Sequence, residues 1–299
     1  MAQTWNPDNV LVYENKNGTI PGEYNTLIMN EVMEGSKLMQ LAQYEPMTDK
    51  VKDFQYFAEG PGAYWVGEGE KIQTSTAKWL NVQMVAKKVG VIIPVSREFL
   101  HYKMSDFFTA IRPKIAEAFY QKIDNATLLD IENPFPQSVE GSIQETDKIV
   151  NGDLTFENIL DLQDLLAKDN FEANAFISNR GNRRPLRNAV ETIGNTTEVM
   201  YDRATNQIDG LPVVDMASLG NGELIAGDFN NIYYGIPYNI DYRISEEAQL
   251  STITNEDGTP VNLFEQELMA LRATMDIGFM VVKDEAFAKI EPGEDVEGA

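Results

Sequence analysis

Tyr64-Trp65-Val66-Gly67-Glu68-Gly69-Glu70-Lys71-Ile72 leads through a β-rich run into Ile92-Ile93-Pro94-Val95-Ser96-Arg97-Glu98, and an amphipathic helical pattern follows to Leu129. Glycines 67 and 69 mark a flexible point between two strand-forming stretches. The whole reads as a long hairpin joined to a helix. A tip rich in glycine and glutamate lines a pocket poorly but can reach another copy of the same chain. Alternation from Lys78 to Val95 is imperfect, with Lys87 and Lys88 adjacent, as expected of a solvent-facing hairpin rather than a core strand.

On the C-terminal side, Ser105 and Asp106 are candidate caps for the helix. Phe107, Ile111, Ile115, Phe119, Ile123 and Ala126 then share one face. Pro113 either kinks this helix or marks where its continuous part begins, and Asn133-Pro134-Phe135-Pro136 ends it. Farther on, apolar residues at every even position from Ile232 to Ile244 predict a half-buried strand, with Pro237 arguing for an edge or bulge. A second alternation covers 267–282, with Asn255-Glu256-Asp257-Gly258 as the turn between the two. These strands have the right pattern to pack against the helix.

Residues 136–153 read as an acidic loop. A helix at 154–170 capped by Thr155, a strand at 171–178, a turn at 179–182, a helix through 186–190 and a strand at 211–215 predict a compact α/β unit over 154–228. Toward the N-terminus, 25–43 reads as helix ended by Pro46. Residues 1–24 are polar and turn-rich, as expected of an arm lying on a neighbour. The fold class is α+β.

The chain carries 47 acidic and 24 basic side chains, a formal charge of −23, which repels nucleic acid overall. With no cysteine and one histidine, His101, it offers no cysteine nucleophile, iron–sulfur cluster or Cys/His zinc site. No apolar run approaches the roughly 18 residues of a membrane span, and the first residues lack signal-peptide features. A soluble protein made in a cytoplasm is expected. Acid pairs such as Glu68/Glu70, Asp161/Asp164, Glu246/Glu247 and Glu265/Glu267 arise by chance among so many carboxylates. A glycosidase reading would need two of them flanking a cleft. Arg180, Arg183, Arg184 and Arg187 form an unusual basic group. A phosphate or nucleic-acid site is one reading. With no aromatic interleaved, a salt-bridging surface for an acidic neighbour is the better one.

Tyr64-Trp65-Val66-Gly67-Glu68-Gly69, then Ile72, Ser75 and the run from Val82 to Val95, resembles the extended loop of tailed-phage major capsid proteins, whose fold is named after bacteriophage Hong Kong 97. Pro94-Val95-Ser96-Arg97-Glu98-Phe99-Leu100 is similar to the segment entering that family's spine helix. Ile115-Ala116-Glu117-Ala118 with Lys122-Ile123-Asp124-Asn125-Ala126 resembles the helix itself. Gly210-Leu211-Pro212-Val213-Val214, Ala226-Gly227-Asp228-Phe229 and Ala286-Phe287 match later segments, in family order over roughly residues 25–290. One departure is Leu129-Asp130-Ile131-Glu132, where many relatives place a glycine.

The resemblance implies an N-terminal arm and helix (1–50), an extended loop (51–100), a peripheral domain with the spine helix (101–153), an axial domain (154–230), and peripheral strands with an acidic tail (231–299). It implies a non-enzymatic shell subunit without cofactor or metal. Copies would form hexamers and pentamers of an icosahedral virion shell around double-stranded DNA, assembled in a bacterial cytoplasm. A portal protein and a separate scaffolding protein would be partners, with no membrane and no sequence-specific DNA contact. Trp65, Glu68, Glu70, Lys71 and Lys78 would meet a neighbouring subunit, and Arg180, Arg183, Arg184 and Arg187 would form an axial contact. Some relatives crosslink a loop lysine; Lys71 and Lys78 lie in that region, though solvated lysines are the simpler reading. Alternatives are an encapsulin-type nanocompartment shell and an acidic hydrolase.

Overall fold

The computed structural model describes residues 22–59, 71, 78–193, 196–238, 240–254 and 260–293. Two helices open it, α1 (Gly22–Gly35) and α2 (Lys37–Leu41), separated by Ser36, whose hydroxyl accepts the Met39 amide. After β1 (Gln43–Tyr44) come β2 (Val51–Glu59) and β3 (Lys78–Ser96), antiparallel from Val51–Val85 to Glu59–Lys78. β3 runs directly into α3 (Arg97–Leu129), a helix of 33 residues that at about 1.5 Å per residue spans roughly 50 Å.

Sequence and structure differ at the start of α3. The helix begins at Arg97 with Ser96 in the capping position, so Ser105, Asp106 and His101 lie inside it. The start read from sequence is late because the regular apolar spacing begins only at Phe107, ten residues into the helix. Pro113 sits within the helix and removes one backbone donor, but helical structure continues on both sides. Ile115, Phe119, Ile123 and Ala126 are buried as their spacing predicts. The turn after α3 takes its left-handed positions at Asp130 (φ 58°) and Glu132 (φ 49°), so the chain turns there without a glycine.

Residues 136–153 are not a loop. They hold α4 (Val139–Thr146), capped by Ser138, and β4 (Ile149–Asn151). Gly141 and a short apolar set weaken the helical signal there. α4 ends on Asp147 at φ 53°, exposed to solvent. Replacing Asp147 with glycine relieves this left-handed position and is expected to stabilise the subunit by about 0.5–1 kcal/mol, net of unfolded-chain entropy. Thermal unfolding of the unassembled subunit measures this; a drop in the midpoint would refute it.

Next come α5 (Phe156–Ala167), capped by Thr155 as expected, β5 (Ala175–Ser178), and α6 (Arg183–Asn188) after a 3-10 turn. α6 starts earlier than its pattern and stops before Ala189. A hairpin of β6 (Val190–Ile193) and β7 (Thr196–Val199) precedes β8 (Tyr201–Asp202), β9 (Gln207–Ile208), β10 (Leu211–Asp215) and β11 (Leu224–Gly227).

The strand expected over 232–245 is two strands, β12 (Ile232–Gly235) and β13 (Asp241–Ser245), broken around Pro237. The even-residue face is buried at Ile232, Tyr234, Ile240 and Tyr242, while Tyr238 at the break is exposed. The connection to the next long strand contains a hairpin of β14 (Gln249–Thr254) and β15 (Pro260–Asn262); the turn expected at 255–258 lies outside the described residues. β16 (Leu268–Val281) and β17 (Phe287–Glu291) complete the chain.

Two main sheets result. One runs β1-β12-β16-β3-β2, with β13 also on β16. β3 pairs with β16 from Ser96–Leu268 to Val85–Phe279 and with β2 from Val85 outward, so the two partners overlap only at Val85, around which Met84 and Ala86 are buried. Along 82–95 exposed residues, among them Lys88, Gly90 and Ile92, alternate with partly buried ones, so this part of the run expected to face solvent over 78–95 keeps one exposed side. Gly235 and Gly278 face each other across β12 and β16, and Met47 fills the space a Cβ would need at either. The α3 face packs into one apolar cluster with Leu271, Ala273, Met275, Ile277 and Phe279 of β16. The other sheet runs β4-β17-β11-β5-β10-β9-β8, so it draws on strands at 149–151 and 287–291, on either side of the α/β stretch read from sequence.

Candidate subunit interface

The β2–β3 ribbon outruns the sheet that anchors it. Residues 85–96 of β3 are held by β16, whereas 78–84 pair only with β2. The ladder shifts register between Phe57 and Glu59, as at a bulge. At the base, the Lys52 ammonium donates to Glu45 Oε1 (2.5 Å) and to the Pro46 carbonyl (2.6 Å), with the Phe54 ring beneath it at 5.3 Å. Lys78 opens β3 beside Glu59, and Lys71 is exposed. Trp65, Glu68 and Glu70 lie outside the described residues.

The arginine group stands on a tightly tied turn. Asn179 accepts the Gly181 amide, and buried Asn182 donates to Ser178 Oγ and the Glu223 carbonyl while accepting the Gly222 amide. Arg183 Nη2 meets Asp215 Oδ2 at 2.6 Å, and Arg180 Nε reaches the same oxygen at 3.4 Å. Arg184 and Arg187 are exposed. The structure thus brings two of the four arginines onto one carboxylate and leaves two facing solvent. Asp215 comes from β10, and nothing in its sequence neighbourhood marks it as their partner.

Two internal clamps escaped the sequence reading. Asp124 on α3 is buried and receives Ser36 Oγ (2.6 Å), the Lys37 amide (2.8 Å) and the Leu38 amide (3.1 Å), so the spine helix caps α2. Burial pushes the Asp124 carboxyl up, and the bonds from Ser36, Lys37 and Leu38 only partly offset this. In the second clamp, Lys289 on β17 is buried among Glu291 (2.9 Å), Glu140 (3.1 Å) and Glu223 (3.4 Å). Burial pulls its ammonium down, but the carboxylates outweigh it and its pKa is raised. Arg112 on α3 also meets Glu31 on α1 at 2.9 Å.

The acid pair Asp161/Asp164 lies exposed on α5, and Glu265/Glu267 lies exposed before β16. Among the described residues no cluster of His, Cys, Asp or Glu could hold a metal ion, and no helix is long and apolar enough to cross a membrane.

Comparison with known proteins gives a consistent picture. The Phage capsid family model matches residues 17–291. The major capsid protein of Staphylococcus phage 80alpha is 54% identical over 295 residues, 98% of this chain and 90% of that protein. The probable major capsid protein gp17 of Mycobacterium phage L5 is 23% identical over 277 residues, 85% of this chain and 83% of that one. Among solved structures, a chain of Microbacterium phage Oxtober96 superposes with a TM-score of 0.71 at 20% identity, covering 86% of this chain and 91% of that chain. The capsid of a native GTA particle gives 0.63 at 13% identity, covering 86% and 89%. At these identities the structures show the fold.

Proposed function

Since the chain belongs to the phage capsid family, we propose how its surfaces build the shell. It is the shell-forming major capsid subunit of a tailed phage, and copies of it make up the virion capsid. The nanocompartment and hydrolase alternatives are not favoured.

In the proposed reading, the subunits form hexamers and pentamers around double-stranded DNA, assembled in the host cytoplasm with a portal and a separate scaffolding protein. They hold each other by contact and catalyse nothing. The β2–β3 ribbon carries this reading. A free two-stranded ribbon is marginally stable in water, and beyond Phe54 and Val82, which pack on the chain's own Met47, Met84, Ala86 and Met280, this one carries Tyr56, Phe57, Trp79 and Leu80. It gains most by lying on a neighbour, where shared buried area stabilises both copies by mass action. The charge of −23 supports the container role, because a shell should not grip its polyanionic contents.

Deleting residues 67–71 should leave a folded subunit that no longer forms closed shells. Circular dichroism and electron microscopy of the co-expressed protein check this. Normal shells from the deletion would remove the loop tip from the assembly contact.

A further inference from the structure

The shell reading leaves open what the arginine group meets. Arg184 and Arg187 stand three residues apart on α6, hence on one side of it, and both are exposed. Val190, just beyond the helix, is 40% exposed. On the same unit, α5 turns Glu157, Asp161 and Asp164 outward, and Leu160 beside them is 41% exposed. Both helices cover one face of the seven-stranded sheet, since Ile159 and Leu162 share an apolar cluster with Leu186 and Ala189. They sit apart on it. α5 packs on β4, β17 and β11, whereas α6 packs at β8, the far end of the strand order.

Resting on that reading, we propose that the arginine side of α6 in one subunit docks on the acidic face of α5 in the next, a second copy of this chain. The charges are opposite. Arg184 and Arg187 have the same three-residue helical spacing as Asp161 and Asp164, so two arginine–carboxylate pairs can form side by side. Leu160 and Val190 supply an apolar centre. Asp215 acts as a positioning residue, holding Arg180 and Arg183 and so fixing the ridge from which the other two project. Because the two patches differ and lie at different ends of the sheet, the contact is head-to-tail, the kind that closes a ring under rotation. Other exposed acidic groups, such as Glu246/Glu247 and Glu265/Glu267 beside Phe264, lie on connections outside the seven-stranded sheet and lack the helical spacing.

The test is a charge swap on the full chain. R184E/R187E and D161R/D164R should each raise the concentration needed for assembly by about a hundredfold, with the far-ultraviolet spectrum and melting of the subunit unchanged. Combining all four substitutions in one chain should restore assembly, because each reversed patch then finds its complement, whereas mixing the two variants should restore hexamers, in which the two can alternate, but not pentamers. The proposal is overturned if R184E/R187E assembles like the parent chain, or if its defect is relieved by E265R/E267R and not by D161R/D164R. A parent chain that never assembles under any of these conditions would overturn the shell reading itself and this contact with it.

Discussion

Replacing Lys289 with methionine lowers the unfolding free energy of the subunit by about 3–5 kcal/mol. The lysine is buried, and Glu140, Glu223 and Glu291 converge on it from α4, the segment entering β11, and β17. Methionine fills much of the same volume but leaves three carboxylates facing one another with no cation. Adding E140Q and E223Q to the variant should recover much of the loss, since amides can crowd without repulsion. Urea unfolding of the unassembled subunit measures both effects, and a loss under about 1 kcal/mol would mean that water compensates the carboxylates. The pH dependence has a definite sign. The Lys289 pKa is raised above its ordinary 10.5, so its contribution is complete below that value and fades as pH rises through the higher folded value. The advantage of the parent chain over the methionine variant should therefore narrow only in strong alkali.

Replacing Asp124 with alanine is the second large effect, about 2–4 kcal/mol. It leaves the Ser36 hydroxyl and the Lys37 and Leu38 amides without their acceptor and unties α1 and α2 from the spine helix. Asparagine should cost less, because its oxygen can still accept from Ser36 and Leu38 while its amide opposes the Lys37 donor. Acid conditions separate the cases. The carboxyl pKa is raised, so the folded state takes up the proton first, and the parent chain gains on the asparagine variant as pH falls through the folded value toward the ordinary 3.8. A parent chain that instead loses ground there would show that the carboxylate is held as an anion. Thermal melts of the two variants across that range decide it.

The features legible in the sequence were those with a period. The buried face of α3, the odd-numbered face of β16 and the Thr155 cap all follow from spacing or from a short polar residue ahead of an apolar run. Lys87 and Lys88 suggest solvent in the sequence, and Lys88 is exposed, 3.9 Å from Asp276, whereas the burial of Met84 and Ala86, where β2 and β16 meet on β3, carries no sign in the pattern. The strand over 232–245 looked unbroken because alternation survives a break that shifts register by an even number of residues: Gly235 pairs with Gly278 and Asp241 with Thr274, so the same face stays inward. The clamps at Asp124 and Lys289 were invisible for another reason. Asp124 meets Ser36, 88 positions away, and Lys289 meets Glu140, 149 positions away, and a lone charged residue in a strand or helix carries no sign of what it will meet.

The antiparallel ladder of β3 on β16 has a mechanical consequence. A pull on the hairpin acts along the strand axis, so the bonds from Ser96–Leu268 to Val85–Phe279 share the load side by side instead of opening one after another. The strap resists in shear, like tape drawn along a surface, and does not peel. Pressure from packed contents would therefore part copies of the chain at the contacts between them before it unravelled any one copy.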